Sequence, residues 1–344
     1  RFEVFAYALT APDGSDLARR FEQSCDVFRT MAHANADAIA WRVARDGIDI
    51  LMDVSGHFDF SRPEVFALRP AAVNLSYLGM PASLGNGLVD YRISDALCTP
   101  DALRPGWPEA VIRLPGTHFI YNDQEPIADE VPRRRDWGLP EAGTVLACFN
   151  SAAKYDRESF AAWMAVLCRV PQAVLWLLDP GDPARRRLLE ATAGAGVDRQ
   201  RLVFAQRIPR PRHLARLRCA DLFLDTFRYG AHTTAADALW AGLPVLTRLG
   251  GTMASRLTGS IVAAAGLDDL AVGDTAAYVA AAVDLAGRAD ALADLRRRLA
   301  ASRNDCVLFD TAGRVRDLDR AMIEVMARHR RGLPPTSFDL DPRT

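Results

Sequence analysis

The chain has 344 residues, 49% apolar and 25% charged, with a net charge of −1. That length suits two hydrophobic cores better than one. The near-neutral balance leaves no protein-wide field to draw nucleic acid or an anionic membrane, and no apolar run approaches the roughly 20 residues of a membrane span. The six cysteines, Cys25, Cys98, Cys148, Cys168, Cys219 and Cys306, form no CxxC pair. They read as reduced thiols of a cytoplasmic protein rather than a disulfide framework or zinc site. No initiator Met or signal peptide precedes Arg1, so the sequence is expected to start inside a longer chain.

In chain order, Phe2–Leu9 reads as a strand, Ala36–Arg45 as a helix and Ile48–Val54 as a strongly apolar strand. Val73–Leu78, Asp90–Ser94 and Ala110–Leu114 are shorter strand candidates. The proline-containing, charged stretch Pro126–Asp136 is predicted to be an interdomain linker. Its Arg133, Arg134 and Arg135 read as solvated, with phosphate binding as the alternative.

Beyond it the alternation is regular. Strands are predicted at Thr144–Phe149, Ala173–Leu178, Arg201–Ala205, Asp221–Asp225 and Pro244–Thr247. Helices are predicted near Arg157–Val170, Pro183–Ala193, Arg212–Cys219 and Thr234–Ala241, and from about Ala254. Such alternation implies parallel strands with right-handed crossovers. Ala276–Ser302 and Ala312–Arg330 are expected as long helical stretches. The division that results is 1–132, 133–330 and a Pro-rich tail, 331–344, expected to be disordered.

Neither GxGxxG nor a Walker A loop is present, which argues against dehydrogenase and NTPase chemistry. Open α/β sheets bind ligands at the carboxyl ends of their strands. Of the predicted exits, the one after Asp221–Asp225 carries Gly230 and His232-Thr233-Thr234 at a helix start, where hydroxyls, free N–H groups and the helix dipole suit a diphosphate. Asp237, one turn in, can accept from ribose hydroxyls, although Thr234 and Asp237 also spell a helix-capping pattern.

The exit after Thr144–Phe149 leads through Asn150 to Lys154. Of 42 basic residues, 41 are Arg and only Lys154 is Lys. The lone ammonium reads as either a chance survivor or a site where a guanidinium will not fit. At a strand exit it can neutralise a leaving diphosphate.

The exit after Arg201–Ala205 leads to Arg210, His213 and Arg216. The last two share a helix face, which is either a phosphate site or a solvated basic surface. In the first half, His57 follows Asp53-Val-Ser-Gly and reads as a cleft residue or as a structural histidine bonded to backbone. Leu78-Gly79-Met80-Pro81 follows another strand; its glycine either admits a substrate or makes a turn.

Together these exits resemble the O-GlcNAc transferase family, glycosyltransferase family 41. The resemblance rests on Asp221–Val245 with its His-Thr-Thr-x-x-Asp-x-Leu-Trp-Ala-Gly-x-Pro core. It also rests on Phe149-Asn150-x-x-x-Lys154, Val174-Leu-Trp-Leu-Leu178, Gly251-Thr-Met-Ala-Ser-Arg256, Phe66-Ala-Leu-Arg-Pro-Ala-Ala and Tyr77-Leu-Gly-Met-Pro. It runs to about Arg330. It implies a GT-B fold, an α/β arrangement of two facing Rossmann-like domains with parallel sheets. It implies UDP-GlcNAc as donor and inverting, metal-free transfer to Ser or Thr hydroxyls of an acceptor protein, with no cofactor.

By the same resemblance, Lys154 would stabilise the leaving UDP, with Asn150 beside it in the same motif. His232, Thr233 and Thr234 would hold phosphate oxygens, and Asp237 the ribose. Arg210, His213 and Arg216 would line the uridine pocket, and Leu78 and Gly79 would lie near the donor sugar. A Ser-Asp-Phe-x-x-His loop and tetratricopeptide repeats that gather the acceptor are expected upstream of Arg1, leaving His57 as the candidate base. The absence of the long insertion that animal members carry between the domains fits a bacterial form. Two competing readings are a UDP-sugar-binding module without catalysis and a GT-B-like sugar-nucleotide epimerase, for which no extra acid/base carboxylates are evident.

Overall fold

The computed structural model describes residues 2–85 and 87–342. The chain forms two compact units, one of Arg1–Ser94, Arg104–Arg113 and Leu318–Thr344, the other of Asp95–Leu103 and Leu114–Asp317.

The first unit holds β1 (Phe5–Ala8), α1 (Asp16–Gln23), β2 (Val27–Thr30), α2 (Ala36–Arg45), β3 (Ile50–Asp53), α3 (Pro63–Ala67), β4 (Val73–Ser76) and most of β5 (Tyr91–Asp95) and β6 (Ala110–Leu114). β1 and β2 pair in parallel as a two-stranded sheet. The helix α2 starts where the Asn35 side chain accepts the Ala38 N–H, and it buries Ile39, Ala40 and Val43 on one face. That face joins Val65, Phe66, Leu84 and Val89 in a small core. The spacing of those residues is the helical period, which is why the sequence pattern identifies this element.

The second unit carries the regular α/β half. Its strands are β7 (Val145–Cys148), β8 (Val174–Leu178), β9 (Leu202–Ala205), β10 (Leu222–Leu224), β11 (Val245–Arg248) and β12 (Ala271–Val272). Its helices are α4 (Arg157–Arg169), α5 (Ala184–Gly194), α6 (Arg210–Arg216), α7 (Thr233–Trp240), α8 (Met253–Ala264), α9 (Thr275–Gly287) and α10 (Ala289–Ser302). The six strands lie in the order β12-β11-β10-β7-β8-β9, and each pairs with its neighbours in parallel. In chain order that is the 3-2-1-4-5-6 arrangement of a doubly wound dinucleotide fold. β7, β8 and β10 read as unbroken apolar runs because helices cover both faces of such a sheet. Leu146, Leu175, Leu222 and Phe223 are fully buried, each contributing roughly 1.5–3 kcal/mol.

The chain winds outward from β7 in one direction and from β10 in the other. Those two neighbours form the switch point, where the sheet opens a crevice at its carboxyl edge.

Three expectations are corrected. Over its described residues, 331–342, the tail is not disordered: β13 (Phe338–Asp339) pairs in parallel with β6, and the sheet of the first unit runs β13-β6-β5-β4-β3. The Ser337 hydroxyl accepts the Val111 N–H, and the Asp339 carboxylate pairs with Arg104 and Arg113. Proline-rich composition hid a segment whose order comes from a sheet edge. The units are also discontinuous, against the boundary read at 132/133. α11 (Thr311–Arg330) contributes to both, and Pro126–Asp136 lies wholly inside the second unit. There the Ala128 N–H bonds to the Pro211 carbonyl, and Arg134 bonds to the Asp221 carboxylate and the Cys219 and Gly143 carbonyls. Finally, the stretch 276–302 is two helices, interrupted at Arg288 with φ −127 and ψ 92. No helix among the described residues is long and apolar enough to cross a membrane.

Candidate functional site

The exits of β7 and β10 bring Asn150, Lys154, Asp225, Thr226, Tyr229, Gly230, His232 and Thr234 together in the second unit. Asp225 is fully buried. Its Oδ1 accepts from the Ala231 N–H at 2.6 Å and from Asn150 Nδ2 at 3.2 Å, and its Oδ2 accepts from the Thr247 hydroxyl at 2.7 Å. Burial raises its pKa, and the Thr247 hydroxyl and the Ala231 N–H oppose the rise. Asn150 also donates to Thr226 Oγ1 at 2.8 Å, and its Oδ1 accepts from the Thr234 hydroxyl at 2.6 Å. A continuous hydrogen-bonded path thus runs from the β10 exit through Asn150 to the first turn of α7. Asp225 is the hub that sequence reasoning missed. Its signal was a charged residue closing the apolar run Leu222-Phe-Leu224.

The start of α7 is open. His232 occupies the N-cap with φ −109 and ψ −95, and no side chain caps the helix. The first N–H groups of a helix have no intrahelical acceptor. The alternative reading of Thr234 and Asp237 as a capping pair does not hold: Thr234 binds Asn150, and Asp237 faces another group. Thr233 is exposed. The His232 Nε2 lies 3.5 Å from the Ala254 carbonyl and its ring stands edge-on to Tyr229 at 4.8 Å. Burial, and then the Lys154 charge, lower its pKa to about 3, so it is neutral at pH 7.

Lys154 ends a short turn, Ala152–Lys154, after β7. Its Nζ donates to the Gly230 carbonyl at 2.8 Å and sits 4.0 Å from the centre of the Tyr229 ring. Burial lowers its pKa, with the Asp225 carboxylate pulling the other way. The solvated-survivor reading fails: this ammonium is partly desolvated and aimed at the mouth of α7.

Asp237 is 4% exposed. Its Oδ1 accepts from the Tyr121 hydroxyl at 2.8 Å and from Arg210 Nη2 at 2.7 Å, and its Oδ2 accepts from Arg210 Nη1 at 2.9 Å. Arg210 also reaches Glu125. Tyr121 and Glu125 went unseen in the sequence, because nothing local marks them. Asp237 retains acceptor capacity on Oδ2, since a carboxylate offers about four lone-pair directions.

His213 and Arg216 share one face of α6, as their spacing predicts. Arg216 does not line an open surface. It is 1% exposed, with its guanidinium 5.4, 5.1 and 5.8 Å from the ring centres of Trp137, Phe149 and Trp176. It donates to the Gln206 carbonyl and, through Nε at 3.0 Å, to His213 Nδ1. That bond fixes the neutral tautomer of His213, leaving its proton on Nε2. Burial, then the Arg216 charge, lower the His213 pKa to about 4.

An unfolded histidine takes up a proton below about pH 6.5, and the folded one resists to about pH 4. Stability is therefore fully present above 6.5 and lost as pH falls through that window. Thermal melts from pH 7.5 to 4.5 are expected to show this fall, and His213→Asn is expected to make it shallower. An equal slope in both proteins would remove His213 as its source.

In the first unit, the His57 Nε2 lies 2.8 Å from the Ser83 carbonyl and the residue is exposed. This is the backbone-bonded arrangement, and it leaves Nδ1 as the acceptor. Leu78 and Gly79 both have positive φ, 57 and 39. A Cβ on Gly79 would come within 3.0 Å of the Ser55 carbonyl carbon. Gly79 is thus required by the approach of two strand-exit loops. Arg92, 1% exposed, fixes the same loop by donating to the carbonyls of Met80 and Ala82.

Asp95, Cys98 and His118 form a buried cluster in the second unit with metal-ligand atoms close together. Asp95 already accepts from the backbone N–H groups of Leu97, Cys98 and His118, from the Ser260 hydroxyl and from the His118 ring. Its lone pairs are committed, so the cluster reads as a structural tie. Burial raises the Asp95 pKa, but the His118 charge and these donors outweigh it and hold it at about 2.

Residues 1–129 and 121–318 match the model of glycosyl transferase family 41. Over 342 residues the chain is 34% identical to a probable UDP-N-acetylglucosamine–peptide N-acetylglucosaminyltransferase, SEC, of Arabidopsis thaliana, covering 98% of this chain and 35% of that protein. It is 24% identical to a Caenorhabditis elegans UDP-N-acetylglucosamine–peptide N-acetylglucosaminyltransferase, covering 97% and 39%. The chain thus spans well under half the length of these curated relatives. A solved mutant of the Thermobaculum terrenum O-GlcNAc transferase is 30% identical with a TM-score of 0.87, covering 95% of this chain and 62% of that one. A sucrose-phosphate synthase from Thermosynechococcus elongatus, 16% identical with a TM-score of 0.55 and covering 94% and 88%, shares the fold.

Proposed function

The chain belongs to glycosyl transferase family 41, and from that premise we propose that it transfers GlcNAc from UDP-GlcNAc to Ser or Thr hydroxyls of a cytoplasmic protein. Transfer inverts the anomeric centre and uses Lys154 in place of a metal ion. The observation that carries this reading is the single ammonium of the chain, 2.8 Å from the Gly230 carbonyl beside the uncapped start of α7. That point is also the switch point of a doubly wound sheet. A diphosphate there meets the N–H groups and hydroxyls of Thr233 and Thr234, the positive end of the helix dipole and the Lys154 charge.

The acceptor hydroxyl oxygen attacks the anomeric carbon while the bond to the β-phosphate oxygen breaks. The electron pair leaves with UDP, where Lys154 meets the charge as it develops. The hydroxyl proton goes to a base, for which His57 Nδ1 is the candidate in this chain. Asp237 takes the ribose hydroxyls, and the His213 ring, with Arg210 nearby, lies along the nucleoside. By the family resemblance, Leu78 and Gly79 would lie near the donor sugar. The tetratricopeptide repeats expected by resemblance would gather the acceptor.

Calorimetric titration with UDP and UDP-GlcNAc, without divalent metal, tests the nucleotide site. His213→Ala and Asp237→Ala are each expected to weaken UDP binding about tenfold or more. Mass spectrometry of a Ser/Thr peptide incubated with UDP-GlcNAc tests transfer. No binding by the folded chain would sink the assignment. Binding without transfer would favour a nucleotide-sugar-binding module, and an altered sugar without an acceptor product would favour an epimerase.

A further inference from the structure

The loop between β10 and α7 contains an aromatic ring that the proposed chemistry leaves unused. The face of Tyr229 lies 4.0 Å from Lys154 Nζ, and its ring meets the His232 imidazole edge to face at 4.8 Å. The loop beneath is tightly fixed. Phe227 N–H donates to Ser159 Oγ, Gly230 N–H to the Ala254 carbonyl and Ala231 N–H to Asp225. A Cβ on Gly230 would come within 2.3 Å of Thr258 Oγ1 and 3.0 Å of Asp225 Oδ2. Only glycine lets the carbonyl of residue 230 stand where Lys154 finds it.

A long, flexible ammonium side chain loses considerable rotamer freedom when held in one place. Two contacts from one rigid loop, a carbonyl and a ring face, hold it before any ligand arrives. We propose that Tyr229 is a positioning residue for Lys154: its ring face and the Gly230 carbonyl together hold the chain's one ammonium at the mouth of α7. The catalytic consequence rests on the transferase reading above; the clamp itself does not.

The groups facing Lys154 are Asp225 and Tyr229 from the β10 exit, Cys148 from β7 and His232 from the α7 start. His232 and Cys148 stay neutral at pH 7, the first because burial carries it to about 3 and the second because burial raises its thiol. Asp225 and the Tyr229 ring are therefore the groups that favour the charged amine.

Because Lys154 is the sole lysine, a full chain labelled with ¹³C,¹⁵N-lysine gives one side-chain signal. Its ε-CH₂ protons are expected upfield of a solvated lysine, from the Tyr229 ring current. The shift should persist in Tyr229→Phe and collapse in Tyr229→Leu, where the amine should also titrate about one pH unit lower. With UDP-GlcNAc and peptide, Tyr229→Leu should lose about tenfold in kcat with UDP affinity changed less than threefold, and Tyr229→Phe should restore the rate. A lysine signal at the solvated position, no change in Tyr229→Leu, or a Phe variant that behaves like the Leu variant would each overturn the clamp. UDP titration of the unaltered chain decides the transferase reading separately.

Discussion

Lys154→Ala is expected to lower kcat for transfer by about 10²–10³-fold while changing UDP affinity less than about tenfold. The asymmetry follows from where the charge develops. As the anomeric carbon leaves the diphosphate, negative charge grows on the bridging oxygen, and an ammonium at the α7 start meets more charge in the transition state than in the bound donor. Lys154→Arg is not expected to rescue. The ammonium fits between a carbonyl at 2.8 Å and a ring centre at 4.0 Å, a space for a compact charge rather than a planar fork. Burial lowers the Lys154 pKa from 10.5 against the opposing pull of Asp225. The rate should therefore fall at alkaline pH earlier than an ordinary lysine would require. Steady-state peptide transfer and UDP calorimetry on the same preparations check this. Equal losses in kcat and in UDP binding would deny Lys154 its leaving-group role.

The second unit was readable from its sequence because its strands are short apolar runs and its helices begin at recognisable caps. Asp156 accepts the N–H groups of Glu158 and Ser159 at the start of α4, and Thr252 and Ser255 form a capping box at α8. The same local logic located Lys154, Asn150 and Thr234 at strand exits. It failed where partners are distant in sequence. Asp237 finds Tyr121, 116 positions earlier, and Asn150 finds Asp225, 75 positions later. Arg216 read as either a phosphate ligand or a surface cation because the three aromatic rings that enclose it come from separate segments. The tail looked unstructured because the partner of β13 lies more than 200 residues away, beyond any window of periodicity.

Asp225→Ala is expected to cost about 3–5 kcal/mol of stability, enough to lower the melting temperature by roughly 10 °C. The carboxylate holds three donors with little or no access to water: the Ala231 N–H, Asn150 Nδ2 and the Thr247 hydroxyl. Alanine strands them, and each unsatisfied buried donor costs about 1–3 kcal/mol. Removing a desolvated charge returns part of that sum, which is why the total stays below the upper limit. Asp225→Asn keeps one acceptor for Ala231 and is expected to lose less than half as much, since the Thr247 hydroxyl can turn to accept from the new amide. Alanine removes the acceptor of Asn150 Nδ2, and asparagine leaves it a weaker, neutral one, so both variants loosen Asn150, whose Oδ1 holds Thr234 at 2.6 Å. UDP binding should therefore weaken at temperatures where Asp225→Asn is still folded. Differential scanning calorimetry with UDP titration at 10 °C separates the two effects. If Asp225→Asn melted like the unaltered chain and bound UDP equally well, the hub assigned to Asp225 would be wrong, and the diphosphate loop would owe its shape to the backbone alone.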